Sequence, residues 1–161
     1  GHILNMDFGV RKDGYVADLQ RTWYVLRDGE KQAPAAVQRG FDTIHQAVHK
    51  AAAAVRPGVE GWTVDAVARG IIVQAGYEEY PHALGHQVGR SAHDGAGLLS
   101  PKWERYKNLP YLKIEKDQIY TIEPRLTVAG HGVVTIEEMI VVTETGCEFL
   151  SEPQMELVCI E

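Results

Sequence analysis

The 161 residues give room for one domain, and with 45% of them apolar the chain can bury a core without disulfides or a structural metal. A formal charge of −6, with no run of Lys or Arg, argues against a nucleic-acid partner. No apolar stretch approaches the roughly 18 residues of a membrane span, the opening residues do not read as a secretory signal, and Cys147 and Cys159 stand apart as isolated thiols, so a cytoplasmic, non-membrane protein is expected.

In chain order, 3–10 is apolar and strand-like, Asp13-Gly14 is a two-residue hairpin signal, and 15–26, rich in Tyr, Val, Thr and Trp, is the returning strand, closed at Asp28-Gly29. From Pro34 the period becomes helical: Val37, Phe41, Ile44, Val48, Ala52 and Val55 form one apolar stripe that Pro57-Gly58 ends. Thr63 is the expected cap of a second helix with Val64, Val67, Ile71, Ile72 and Ala75 inward and Gly76 at its end. The Gly- and His-rich stretch 80–99 is irregular. The stretch 101–113 reads as a surface loop whose Trp103, Tyr106 and Tyr111 suit a subunit contact, as in a homodimer, a pocket lid, or simple packing. Strands at 118–128 and 133–143 flank a turn at Gly130, and a short strand at 155–160 ends the chain. Strands, two helices, then strands predict an α+β fold. Residues 1–161 read as one domain, and the abrupt start inside a strand predicts that its N-terminal portion is missing.

Four acids stand in apolar strand contexts: Asp7, Asp18, Glu123 and Glu137. Each alone fits a turn, a strand end or, for Glu137-Glu138, a solvated edge; their joint placement carries the inference. A two-residue loop at Asp13-Gly14 sets Asp7 opposite Gln20 and Asp18 opposite Gly9, so both acids share a face as diagonal neighbours roughly 7–8 Å apart. A three-residue loop Ala129-Gly130-His131 sets Glu123 directly opposite Glu137. Like charges so placed destabilise a sheet unless neutralised, and two divalent cations balance four carboxylates. Mostly oxygen ligands with one imidazole suit Mn²⁺ first, then Co²⁺ or Zn²⁺.

His82, His86 and His93 lie in one segment with Gly85 and Gly89. Together with Asp7-Phe8-Gly9, Asp13-Gly14-Tyr15-Val16-Ala17-Asp18, His93-Asp94, Thr121-Ile122-Glu123-Pro124 and Ile136-Glu137-Glu138, this segment resembles the pita-bread metallopeptidases, the family of methionine aminopeptidase, Xaa-Pro aminopeptidase and prolidase. The resemblance covers nearly the whole chain and is greatest to the proline-specific branch, because of His82 and the short Glu123–Glu137 spacing. It implies a pita-bread (creatinase/aminopeptidase) fold: a mainly antiparallel curved sheet with helices on its outer face. It implies Asp7, Asp18, His86, Glu123 and Glu137 as ligands of two metals, Asp7 and His86 on one each and Asp18 and Glu137 shared. Glu123 would also shuttle protons, His93 would stabilise the scissile carbonyl, and His82 would line the pocket beyond it. The implied reaction is metal-dependent hydrolysis of a peptide with proline at its second position, through a hydroxide bridging two ions.

The pattern departs from the family at Gln20 (usually Thr), Thr135 (usually Arg in the proline-specific branch), Gln87, Arg90 and Ala92, which bears on substrate preference more than on metal binding. Three alternatives accompany the main reading: a non-catalytic peptide-binding module, a methionine aminopeptidase, and a creatinase-like amidinohydrolase. Retention of all five ligand positions argues against the first and last.

Overall fold

Asp13 and Gly14 form the expected turn, both at positive φ (52° and 86°), and this turn sets the register of the front of the molecule. In the computed structural model, which describes residues 1–161, β1 (His2–Phe8) runs antiparallel to β4 (Leu19–Val25) with Asp7 opposite Gln20. β2 (Arg11–Lys12) and β3 (Tyr15–Val16) carry the same register to the turn. The two strands expected at 3–10 and 15–26 are therefore each broken, at Gly9-Val10 and Ala17-Asp18. The break is possible because a Cβ on Gly9 would collide with the carbonyl of Ala17, so only glycine allows that approach.

The helices α1 (Ala35–Ala54) and α2 (Gly61–Gln74) follow. Thr63 does not cap α2; it lies in the first turn, its hydroxyl donating to the Glu60 carbonyl at 2.7 Å. Short strands β5 (Gly85–His86) and β6 (Leu98–Leu99) and two 3₁₀ turns lead to β7 (Ile119–Ile122), β8 (Arg125–Val128), β9 (Gly132–Thr135), β10 (Glu138–Val142), β11 (Cys147–Phe149) and β12 (Val158–Ile160). The strands expected at 118–128 and 133–143 are thus also broken, at Glu123-Pro124 and Ile136-Glu137. β12 pairs parallel with β4, giving the order β1-β4-β12, and β10 lies between β11 and β7. Bridges between Gln20 and Glu137 and between Gln87 and Tyr120 join these pieces into the curved sheet. No helix is long and apolar enough to cross a membrane.

Strand alternation decides which residues meet the helices. Tyr120, Ile122, Leu126, Val128, Val134, Ile136 and Ile140 are buried in one core with Val37, Phe41, Ile44 and Val48 of α1 and Val64, Ala68 and Ile72 of α2. Burying each large aliphatic or aromatic side chain contributes about 1.5–3 kcal/mol. The odd-numbered neighbours Glu123, Arg125, Thr135 and Glu137 are left on the opposite face, where the site is built.

The inward face of α2 is less apolar than its period suggests. Ala75 lies exposed beyond the helix, while Asp65 is 1% and Arg69 8% exposed. Arg69 grips Asp65 through two bonds of 2.7 Å and also donates to the carbonyls of Tyr80 (2.7 Å) and His82 (2.9 Å). Asp65 accepts the N–H of Leu84 at 3.2 Å. The pair therefore anchors the backbone that leads into His86. Trp103 and Tyr106, on the expected surface loop, are half-buried and stacked with ring centroids 5.9 Å apart, Trp103 lying against Arg69.

Breaking a buried ion pair strands the remaining charge. Arg69→Met is expected to destabilise the fold by about 3–5 kcal/mol, read from urea unfolding at neutral pH. A loss below about 1 kcal/mol would show that the pair is not what anchors residues 80–84.

Candidate metal centre

The acids reach one another because the backbone ladder changes partners at each of them. Pro124 has no N–H, and the strand breaks there, β7 pairing with β10 and β8 with β9. The N–H of Glu123 donates instead to the carbonyl of Leu84 (2.7 Å), and Glu137 exchanges backbone bonds with Gln20 (3.1 and 3.4 Å). One hairpin end is thus tied to the histidine segment and the other to β4, the strand that follows Asp18. Asp18 sits in its own break, its N–H on the sulfur of Met139 at 3.2 Å.

His86 arrives by a close approach: a Cβ on Gly85 would collide with the Thr121 carbonyl. The Thr121 hydroxyl accepts the His86 N–H at 3.1 Å and donates to Glu123 Oε1 at 3.2 Å, aligning both. His86 Nδ1 lies 3.2 Å from the Gln87 carbonyl, which can only accept, so Nδ1 carries a proton, and Nε2 donates to Glu123 when the ring is charged and offers its lone pair when the ring is neutral. Nε2 is 3.1 Å from Glu123 Oε1 and 3.9 Å from Asp18 Oδ2.

Ligand atoms of Asp18, His86 and Glu137 all lie within 4.8 Å of one another. Glu123 joins them through His86. Asp7 stands outside that tight group, exposed, and with Glu123 lines an adjoining cleft of about 540 Å³. His82 lines the same cleft, its Nδ1 2.7 Å from the Ala83 carbonyl. His93 stacks on the His86 ring, centroids 3.9 Å apart. Glu137 and Glu138 are no solvated edge: they are 1% and 0% exposed, and Glu138 is satisfied by Arg21 (3.0 Å) and the N–H of Gln154 (2.9 Å).

The electrostatics are those of crowded acids. Burial, then the charges of Glu123 and Asp18, push Glu137 up to about 9. Burial also raises Asp18; His86 opposes this, and Asp7 and Glu123 add to it. Burial disfavours a charged His86, but the hydrogen bond and charge of Glu123 outweigh that and raise its pKa. The Lys and Arg ion pairs of the protein go to Glu138, Asp65, Glu79 and Glu144, leaving these four acids without one. Four carboxylates and one lone-pair imidazole fit divalent cations of the Mn²⁺, Co²⁺ or Zn²⁺ kind.

The charged cleft residue Arg125 escaped the sequence reading. Arg125 follows Glu123 by two and so shares its face, a signal that alternation contained. Tyr106, for which a pocket lid was one of three expectations, also lines the cleft.

Residues 1–144 match the family described as metallopeptidase family M24. The chain is 30% identical over 159 residues to the Xaa-Pro dipeptidase of Pyrococcus horikoshii, covering 98% of this chain and 42% of that protein. It is 37% identical over 146 residues to an uncharacterised peptidase of Staphylococcus saprophyticus (90% and 38%). The crystal structure of a dipeptidase from P. horikoshii superposes with a TM-score of 0.83 at 31% identity, covering 98% of this chain and 41% of that one. The chain thus spans about two-fifths of the length of the curated relatives it matches.

Between the ordinary carboxylate value of 4.5 and about 9, folded Glu137 keeps a proton that the unfolded chain releases. Metal-free stability should therefore fall as pH rises through that window. Glu137→Gln is expected to stabilise the metal-free protein at pH 8 by about 1–3 kcal/mol and to abolish the rise in Tm on adding Mn²⁺. Thermal melts at pH 6 and pH 8, with and without the ion, check this; a variant that tracks the natural protein in all four melts refutes it.

Proposed function

As the chain belongs to metallopeptidase family M24, we propose that residues 1–161 form the metal-binding catalytic unit of an Xaa-Pro peptidase that uses two divalent ions, with Mn²⁺ the best fit to the donors. The observation that carries this reading is the convergence of Asp18, His86 and Glu137, with Glu123 against His86, at the edge of a cleft. The relative from P. horikoshii named an Xaa-Pro dipeptidase supports the proline preference.

When bound, such ions acidify water to a nucleophile at neutral pH and polarise the scissile carbonyl. The residues do the rest. Asp7, Asp18, His86, Glu123 and Glu137 would hold these ions. The tautomer set by the Gln87 carbonyl keeps His86 Nε2 free for its role. Glu123, fixed by the Thr121 hydroxyl, takes the proton from the attacking water and returns it to the leaving nitrogen. His93, held against the His86 ring, donates to the carbonyl oxygen as negative charge develops there. His82, at the cleft wall, borders the residue after the cleaved bond.

The complete protein with Mn²⁺ is expected to hydrolyse Ala-Pro and to stop on chelation. His93→Ala should lower kcat by about 10²–10³ with metal content retained. Asp18→Asn should lower both activity and bound metal, measured by elemental analysis. A fully metal-loaded sample that cleaves no Xaa-Pro peptide would end this reading.

A further inference from the structure

We propose that His45 and His49 of α1 form a binding site for one transition-metal ion of the Zn²⁺ kind, separate from the acid cluster. The site uses other residues than the peptidase reading and does not depend on it.

His45 and His49 are about one helical turn apart, so their side chains leave the same face of α1. Their ring centroids are 4.3 Å apart, with the rings tilted by 49°. Phe41 stacks beyond His45 (6.4 Å), and Phe149 of β11 meets His49 edge-on (5.4 Å), so apolar rings close both ends of the pair. Phe149 is the cross-strand partner of Ile140, which is buried in the core. The pair therefore lies on the helix side of the sheet, and Glu123 and Glu137 lie on the other.

Neither imidazole pairs with a carboxylate. His45 Nε2 is sealed from solvent and has no hydrogen-bond partner. A buried polar atom left in that state is costly. Burial lowers the pKa of both rings; a charge on His49 would lower His45 further, while Asp42 and Glu138 oppose this. At neutral pH both rings are therefore neutral and carry lone pairs, the form that a metal needs.

An ion would answer the unpartnered nitrogen directly. Two His at i and i+4 on one helix face are a known arrangement for holding Zn²⁺. On a tetrahedral ion with Zn–N bonds of about 2.0–2.1 Å, the two nitrogens stand about 3.3 Å apart, a gap that rings at this spacing reach by small rotations. Asp42 precedes His45 by three residues and lies on the same stripe. It is exposed, forms no ion pair and accepts only from Gln38 (2.8 Å), so its carboxylate is free to join, with water completing the shell. Two imidazoles favour Zn²⁺, Cu²⁺ or Ni²⁺ over Mn²⁺, which prefers oxygen, and this separates the pair from the acid cluster.

The test dialyses the complete metal-free protein against Zn²⁺ at pH 7 and counts bound zinc by elemental analysis, in the natural protein and in His49→Gln and His45→Phe. Each variant is expected to hold one ion fewer than the natural protein, two rather than three where the acid cluster takes two. If the acid cluster takes none, the peptidase reading falls while the difference of one ion remains. Equal zinc in all three proteins overturns the site. With Mn²⁺ in place of Zn²⁺ the three should hold equal amounts. A manganese loss as large as the zinc loss would trace both to damage at the acid cluster and overturn the site. The natural protein supplies a readout that needs no variant: the Hε1 NMR signals of His45 and His49 should shift together as Zn²⁺ is added. Signals that stay in place at saturating zinc overturn the site.

Discussion

Four carboxylates held on one face of a curved sheet repel one another, and the rest of the site follows from how that repulsion is contained. Water screens Glu137 least, since it is almost wholly buried, whereas Asp7 is exposed. No Lys or Arg ion pair neutralises them, because the nearby Arg21 is spent on Glu138. The charge is left to be met by protons or by cations. The first outcome is seen in the raised pKa values of Glu137 and Asp18; the second is the one that a metallopeptidase requires.

Such a cluster destabilises the protein that holds it, so the scaffold must hold it from outside. The apolar core between the helices and the even-numbered strand residues supplies the bulk of the stability. The Asp65–Arg69 pair supplies position, tying α2 to the backbone of Tyr80, His82 and Leu84, just before His86. The Thr121 hydroxyl and the Gln87 carbonyl then fix the orientation of Glu123 and His86.

The two departures from the family pattern that lie within the sheet have structural settings. Gln20 pairs with Glu137 through the backbone, and its side chain is among the influences that lower the Glu137 pKa, in part offsetting burial. Thr135 is held to Thr22 through its backbone and faces Arg125 across the ladder. A positive charge in this part of the cleft therefore comes from β8, the strand opposite Thr135, and cross-strand pairing makes the two positions neighbours despite the ten residues between them.

Alternation, turn chemistry and helical period were sufficient to read the α+β order, the Asp13-Gly14 turn, both helices and the register that sets Asp7 opposite Gln20. Those features depend on neighbours in the chain, and local sequence carries them. The breaks in the strands were not legible, because each arises from a distant partner: Leu84 takes the N–H of Glu123, Gln20 takes that of Glu137, and the Ala17 carbonyl approaches Gly9. Burial of Asp65 and Arg69 in a helix face, the satisfaction of Glu138 by Gln154, and the entry of Tyr106 into the cleft were decided the same way. Sequence determined which donors the protein owns and on which faces they lie; tertiary structure alone decided which of them share a few ångströms of space, since that distance is set by contacts between segments many residues apart.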